Sequence, residues 1–198
     1  MLDAYVDALV AHDAARLPVD KGTRFTENGQ RLGLGDGLWR TVTGKGSYAL
    51  RIADVERGQA VLMATVREAD APTIFVLRLK VAARRIAEVE TLVIRNQMAA
   101  ESLDRIGAPR RVFFEPVPQA ERLSRDELVR IANMYFSGIE RNDGKGDYPI
   151  HDACARLENG AVTAGDPALV LGAAAAAALP ARPRTGCLEQ FKSGSSST

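Results

Sequence analysis

Little in this chain points to covalent, metal or nucleic-acid chemistry. Its 198 residues hold two cysteines, two histidines and one tryptophan. Cys154 and Cys187 are too few for a disulfide framework. One bridge between them is open, and reduced thiols are the expected state. Neither HxxxH nor CxxC spacing occurs, so no metal site is expected. Lys and Arg number 26 against 25 Asp and Glu, a net charge of +1 with no polybasic run. That balance argues against a nucleic-acid partner. The segment Gly33–Gly37, GLGDG, lacks the GxGxxG spacing of a nucleotide loop.

Long hydrophobic runs are also lacking. The longest, Ala168 to Ala181, is alanine-rich and shorter than the roughly 20 residues of a membrane span. The N-terminus carries no basic stretch ahead of an apolar core, so no signal peptide is read there. It is amphipathic from its second residue, which leaves room for a native start further upstream. A cytoplasmic protein without a membrane partner is the default expectation.

What is present is a phrase written twice. PVDKGTRFTENG runs from Pro18 to Gly29, and PIHDACARLENG from Pro149 to Gly160. The match extends upstream, because Tyr5 precedes Asp13 by eight residues and Tyr135 precedes Asp143 by eight. A single one-residue insertion then aligns helix, loop and strand in both halves, which predicts a structural duplication.

The periodicity supplies the elements. Leu2, Tyr5, Val6, Leu9 and Val10 form one helical stripe. A first strand is predicted from Thr23 to Gln30, then a glycine-rich stretch with one helical turn around Trp39. Three strands follow, Gln59–Arg67, Thr73–Val81 and Ile86–Arg95, joined by hairpin-length connections. Phe75, Leu77, Leu79 and Val81 oppose Arg78 and Lys80, and Ala87, Val89, Thr91 and Val93 oppose Glu88 and Glu90. Such alternation predicts an antiparallel sheet with one wet face and one face under the N-terminal helix. Met98–Ala120, with three prolines, reads as a linker with one short helical turn. Ser124 and Glu127 form a capping box ahead of a stripe of Leu128, Ile131, Ala132, Tyr135 and Ile139, ended by NDGKGDYP. The expected domains are therefore 1–97, a linker 98–120, and 121–198.

After its Glu-Asn-Gly the second copy has no run matching the three strands. Its remaining residues are mostly Ala, Gly, Pro and Ser, ending in SGSSST. The second copy is read as incomplete, and the sequence as a fragment.

The order of elements resembles the cone-shaped α+β barrel of the SnoaL-like branch of the nuclear-transport-factor-2-like superfamily. The stretches YVDALVAHD, RFTENG, LGDGLW, LRLKV, HDACARLENG and GC.EQF are similar to those of an uncharacterised bacterial and fungal group in that branch. The resemblance implies a cone of curved antiparallel sheet with packed helices, an internal cavity and homodimers formed through the exposed sheet face. It implies a small-molecule substrate, aryl or polyketide-like, and chemistry without metal or organic cofactor.

Within that frame several side chains are candidates for chemistry. On a strand Glu27 shares a face with Phe25, and a carboxylate inside an apolar cone has its pKa raised by desolvation, making a usable acid or base. The competing reading is a carboxylate that accepts backbone or arginine hydrogen bonds at a strand end. His151 stands where the first copy has Asp20, near Tyr148, Asp152 and Arg156. It could shuttle protons, with Arg156 or Tyr148 holding an oxyanion, or be a structural histidine. His12 reads as a helix C-cap. A Cys154 nucleophile is disfavoured, since His151 would face the opposite side of a strand. Phe25, Trp39, Tyr5 and Tyr135 are candidate substrate-contacting walls of the cavity. The expected function is a cofactor-independent lyase or isomerase with Glu27 or His151 as base. The alternative is a non-catalytic small-ligand-binding or protein-interaction module.

Overall fold

The computed structural model describes residues 1–141, 143, 148–179 and 184–192. The glycine-rich residues 144–147 and the tail Ser193–Thr198 lie outside the described residues. The chain divides into two compact units, Met1–Pro109 with Asn159–Ala161, and Arg110–Glu158 with Val162–Thr198.

The first unit is an α+β fold on one mixed sheet. Helix α1 (Leu2–Val10) leads into β1 (Val19–Glu27) and β2 (Gln30–Arg31). A 3-10 turn at Gly37–Arg40 precedes β3 (Val42–Asp54), β4 (Gln59–Glu68), β5 (Ala71–Ala82) and β6 (Arg85–Ile94), and α2 (Gln97–Ile106) follows. Strand order is β2-β1-β6-β5-β4-β3, an open sheet. All pairs are antiparallel except β1 with β6, which is parallel.

Two-residue turns set the registers. Ala69-Asp70 and Ala83-Arg84 both have positive φ at each position, 47° and 64°, then 47° and 63°. This is the conformation whose twist suits tight hairpins. Register then carries the alternation: Leu62, Phe75, Leu77, Leu79, Val89 and Val93 face inward and are at most 5% exposed. Tyr5, Val6 and Leu9 of α1 pack into the same cluster. On the opposite face Arg78 lies across from Glu90 and bonds both Glu88 and Glu90, each at 2.8 Å.

Two elements depart from expectation. β3 is the longest strand, 13 residues; its first five lie in the glycine-rich stretch, and no element is expected from the sequence over the rest. Its register slips between Val42 and Gly44 and between Lys45 and Ala49, so its buried positions do not all serve one layer: Val42 belongs to the core cluster, and buried Tyr48 and Leu50 do not. The segment read as a linker from residue 98 begins inside α2, which packs on the wet side of the sheet with Ala100 and Leu103 fully buried. Asn96 caps that helix by accepting from the Ala99 N–H at 3.1 Å.

Asp104 fastens α2 to the sheet. Its carboxylate accepts from Thr65 Oγ1 and from the Ser47 N–H at 2.6 Å, and Arg67 lies 3.2 Å away. Any side chain at Gly46 would strike Thr65 and Asp104, which explains that glycine. Burial pushes the Asp104 carboxyl up, but these donors and the arginine outweigh it and hold its pKa below the ordinary 3.8.

The second unit contains α3 (Arg125–Arg141), β7 (Arg156–Glu158), all of β8 (Ala161–Ala164) but its first residue, and short helices α4 (Ala168–Leu171), α5 (Ala173–Ala177) and α6 (Cys187–Lys192); β7 and β8 form a two-stranded hairpin. Ser124 caps α3 as expected, its Oγ accepting from the Glu127 N–H at 3.2 Å. The predicted stripe of α3 is not a buried one, since Leu128 is 55% and Ile139 50% exposed. Gly138 is the buried residue of α3, packed against Tyr148.

The expectation of reduced thiols is corrected. Cys154 and Cys187 form a disulfide across 33 residues, with Cα atoms 5.9 Å apart. The pairing became visible only once the fold returned α6 to the β7–β8 hairpin.

A depressed acid pKa gives a sign-definite expectation. Stability contributed by Asp104 is complete above its unfolded value near 3.8 and is lost as pH falls through the lower folded value. Urea titrations at several pH values should show wild type losing stability below about pH 4 and Asp104→Asn losing less. An unchanged acid slope in the variant would remove Asp104 from this role. For the bridge, a closed loop of this length is worth about 3–4 kcal/mol in the chain-entropy picture. Reduction should raise amide exchange in β7 and β8 and leave the emission of Trp39, in the first unit, unchanged. Alkylation before reduction should add nothing to the mass, and two adducts would return both thiols to the reduced state.

Candidate functional site

The sequence candidates fall into two groups that belong to different units. Tyr5, Phe25, Glu27 and Trp39 are in the first, and Tyr135, Tyr148, His151 and Arg156 in the second.

In the first unit, parallel pairing of β1 with β6 sets Phe25 opposite Val89 and Glu27 opposite Thr91. Phe25 and Glu27 therefore both enter the covered layer, at 2% and 9% exposure. Asn28 and Gly29 then turn the chain with φ of 48° and 80°. The Asn28 amide bonds Val93 at both its N–H and its C=O, so the turn is tied to β6. The Glu27 carboxylate is thereby aimed at the 3-10 turn, where Oε2 accepts the Leu38 N–H at 3.0 Å. Gly37, with φ 64°, lets the backbone come this near, because a Cβ there would stand 2.7 Å from both carboxylate oxygens.

Three further contacts close the site. The Trp39 indole N–H donates to Tyr5 Oη at 3.0 Å, and the rings meet edge to face with centroids 5.3 Å apart. His12 Nδ1 bonds the Trp39 carbonyl, so this histidine does sit at the helix end as expected but serves the neighbouring turn. Arg95 stands 3.9 Å from Glu27 and binds Glu68 through two nitrogens at 2.6 and 3.0 Å. Burial pushes the Tyr5 phenol well above its usual range; the indole bond opposes this and the Glu27 charge adds to it. The Arg95 guanidinium holds Glu68 below the usual carboxylate range, with Thr41 assisting.

The expected cavity wall is thus a packed interior. Tyr5, Phe25, Leu38 and Trp39 are each at most 2% exposed and belong to one core cluster with Leu62, Leu77 and Leu79. A shallow polar recess does occur on the wet face of the sheet, lined by Arg24, Thr26, Arg78, Glu88, Val89 and Glu90. It contains none of the candidates.

In the second unit each candidate has a partner within the fold. His151 is exposed, and its Nδ1 accepts the Ala153 N–H at 3.0 Å while its carbonyl accepts the Cys154 N–H at 2.9 Å. That is a turn closed on itself. Arg156 donates to Thr163 Oγ1 at 2.9 Å and to the Gln190 side chain, and Glu158 lies 3.4 Å away. Gln190 in turn donates to the Thr163 carbonyl at 2.7 Å and to Thr185 at 3.0 Å. Cys154 with Cys187 and Arg156 with Gln190 therefore clamp α6 to the hairpin twice. Tyr148 packs against Gly138, whose Cβ position lies 2.2 Å from the ring. Tyr135 is half-buried beside Phe136, with ring centroids 5.6 Å apart.

Sequence reasoning missed Arg95, Glu68, Leu38 N–H and Gln190 as partners. Gln190 alone left a trace, as part of the GC.EQF stretch. Among the described residues no group of three His, Cys, Asp or Glu could hold a metal ion. No helix of the described residues is long and apolar enough to cross a membrane.

A family model for a domain of unknown function (DUF8021) matches residues 121–197. No curated protein matches. Among solved structures, a protein from Kribbella flavida aligns at 18% identity over 49% of this chain and 86% of that one, with a TM-score of 0.40. One from Sphaerobacter thermophilus aligns at 14% identity over 48% and 94%, with a TM-score of 0.40. AclR of Streptomyces galilaeus ("a putative hydroxylase") aligns at 9% identity over 69% and 94%, with a TM-score of 0.39. Likenesses at this level add nothing to the functional reading.

The hydrogen bond from Leu38 gives a direct expectation for stability. Glu27→Ala strands a buried N–H and should destabilise the first unit by about 1–3 kcal/mol in urea melts followed by Trp39 emission. Glu27→Gln keeps an acceptor oxygen and should lose less. An alanine variant as stable as wild type would show that the carboxylate is not holding the turn.

Proposed function

We propose that this protein is a non-catalytic binding or interaction module, built on a duplicated SnoaL-like α+β plan. The observation that carries this reading is the commitment of Glu27: its carboxylate is spent on the Leu38 N–H inside a filled core. An acid–base enzyme needs such a group facing a cavity that admits substrate. His151 and Arg156, the other candidates for base and oxyanion partner, are engaged in a turn and a clamp.

Duplication is supported by local conformation. Asn159 and Gly160 have φ of 47° and 81°, within a degree of their counterparts Asn28 and Gly29. Each hairpin is followed by a Gly-Asp pair, Gly35-Asp36 and Gly165-Asp166, before a short helical element. The disulfide favours an oxidising compartment over the cytoplasm taken as the default expectation.

The lyase or isomerase reading retains one supporting observation, the convergence of Tyr5, Glu27 and Trp39. Titrating aryl and polyketide-like carbonyl compounds while following the Trp39 indole N–H by NMR separates the two. The module reading expects no saturable indole shift and no turnover. A compound that shifts the indole and is turned over by wild type but not by Glu27→Gln would overturn it in favour of proton abstraction by Glu27.

A further inference from the structure

The two halves differ most where their helices should be alike. In the alignment that places Tyr135 on Tyr5, Phe136 stands for Val6, Gly138 for Ala8 and Ile139 for Leu9. Ala8 and Gly138 are both buried. Val6 and Leu9 are 7% and 1% exposed beneath the sheet, whereas Phe136 and Ile139 are 66% and 50% exposed. The positions that the sheet covers in the first unit are open in the second. Val129 at 53% and Leu128 at 55% continue the open surface.

The face also has a charge pattern. Arg125, Val129, Ala132, Phe136 and Glu140 follow one another at helical spacing on one side of α3. An arginine begins the stripe, a glutamate ends it, and a small residue lies at its middle. We propose that α3 is a self-association surface, on which two copies of this chain pack antiparallel about a two-fold axis. Val129 then meets Phe136 of the partner subunit, and Arg125 meets Glu140 of the partner subunit, each pair occurring twice. Ala132 lies beside the axis, where a small side chain lets helices approach to about 8–10 Å. A parallel pair would instead set arginine against arginine and glutamate against glutamate, so the charges select the antiparallel arrangement. The surface is distinct from the sheet face through which the family resemblance implies dimers.

Sedimentation equilibrium of the full chain tests this, over about 1–100 µM because one helix pair is a small interface. Wild type is expected to pass from monomer to dimer over that range. Phe136→Glu should be monomeric throughout, with unchanged Trp39 emission and far-ultraviolet circular dichroism. Arg125→Glu alone and Glu140→Arg alone should each weaken the dimer roughly tenfold, and the double reversal should restore it. A chain that stays monomeric overturns the proposal and means that something else covers α3. A dimer indifferent to Phe136→Glu overturns it by placing the contact elsewhere, the sheet face included. Loss with Phe136→Glu but no rescue by the double reversal overturns the antiparallel register.

Discussion

The first unit depends on a buried carboxylate whose partner is backbone. Glu27 ends β1 inside the covered layer, and its Oε2 accepts the Leu38 N–H at the start of the 3-10 turn. That one bond orients the turn so that Trp39 reaches Tyr5 on α1 and so that Leu38 enters the core. A carboxylate in an apolar layer must be paired or hydrogen-bonded, and here it is served by an amide with Arg95 behind it. The residue expected to act as a base facing a cavity lies instead in a filled core, where it holds the closing turn.

The second unit solves a different problem with less material. A two-stranded hairpin is marginal alone in water. Here β7 and β8 are joined to α6 by the Cys154–Cys187 bridge and by Arg156 with Gln190 and Thr163. Gly165, with φ 71°, permits the chain to pass the Cys154 carbonyl, where a Cβ would stand 2.1 Å away. The stretches HDACARLENG and GC.EQF thus supply the two sides of one clamp.

Much of the fold was legible because the signals were local. Alternation placed β4, β5 and β6 nearly to the residue, since inward Phe75, Leu77 and Leu79 are separated by outward Val76 and Arg78. Ser124 announced α3, and each Glu-Asn-Gly announced a tight turn. What stayed hidden was set by distant partners. β3 carries no apolar side chain at Gly44 or Gly46, and at Gly46 any side chain would strike Thr65 and Asp104. α2 has short apolar content of its own and is fastened through Asp104 to residues nearly 40 and more positions away. The disulfide needed the return of α6. For the candidate site, Phe25 and Glu27 were correctly placed on one face, but their burial among Tyr5, Leu38 and Trp39 is a packing outcome that strand parity cannot report.

The central claim is that Glu27 is a structural acceptor, and amide hydrogen exchange at Leu38 tests it most directly. The account expects the Leu38 amide to exchange as slowly as the core amides of β5 in wild type, and faster than them in Glu27→Ala while those core amides stay protected. A Leu38 amide that exchanges rapidly in wild type would contradict the account, and would free the Glu27 carboxylate for a ligand.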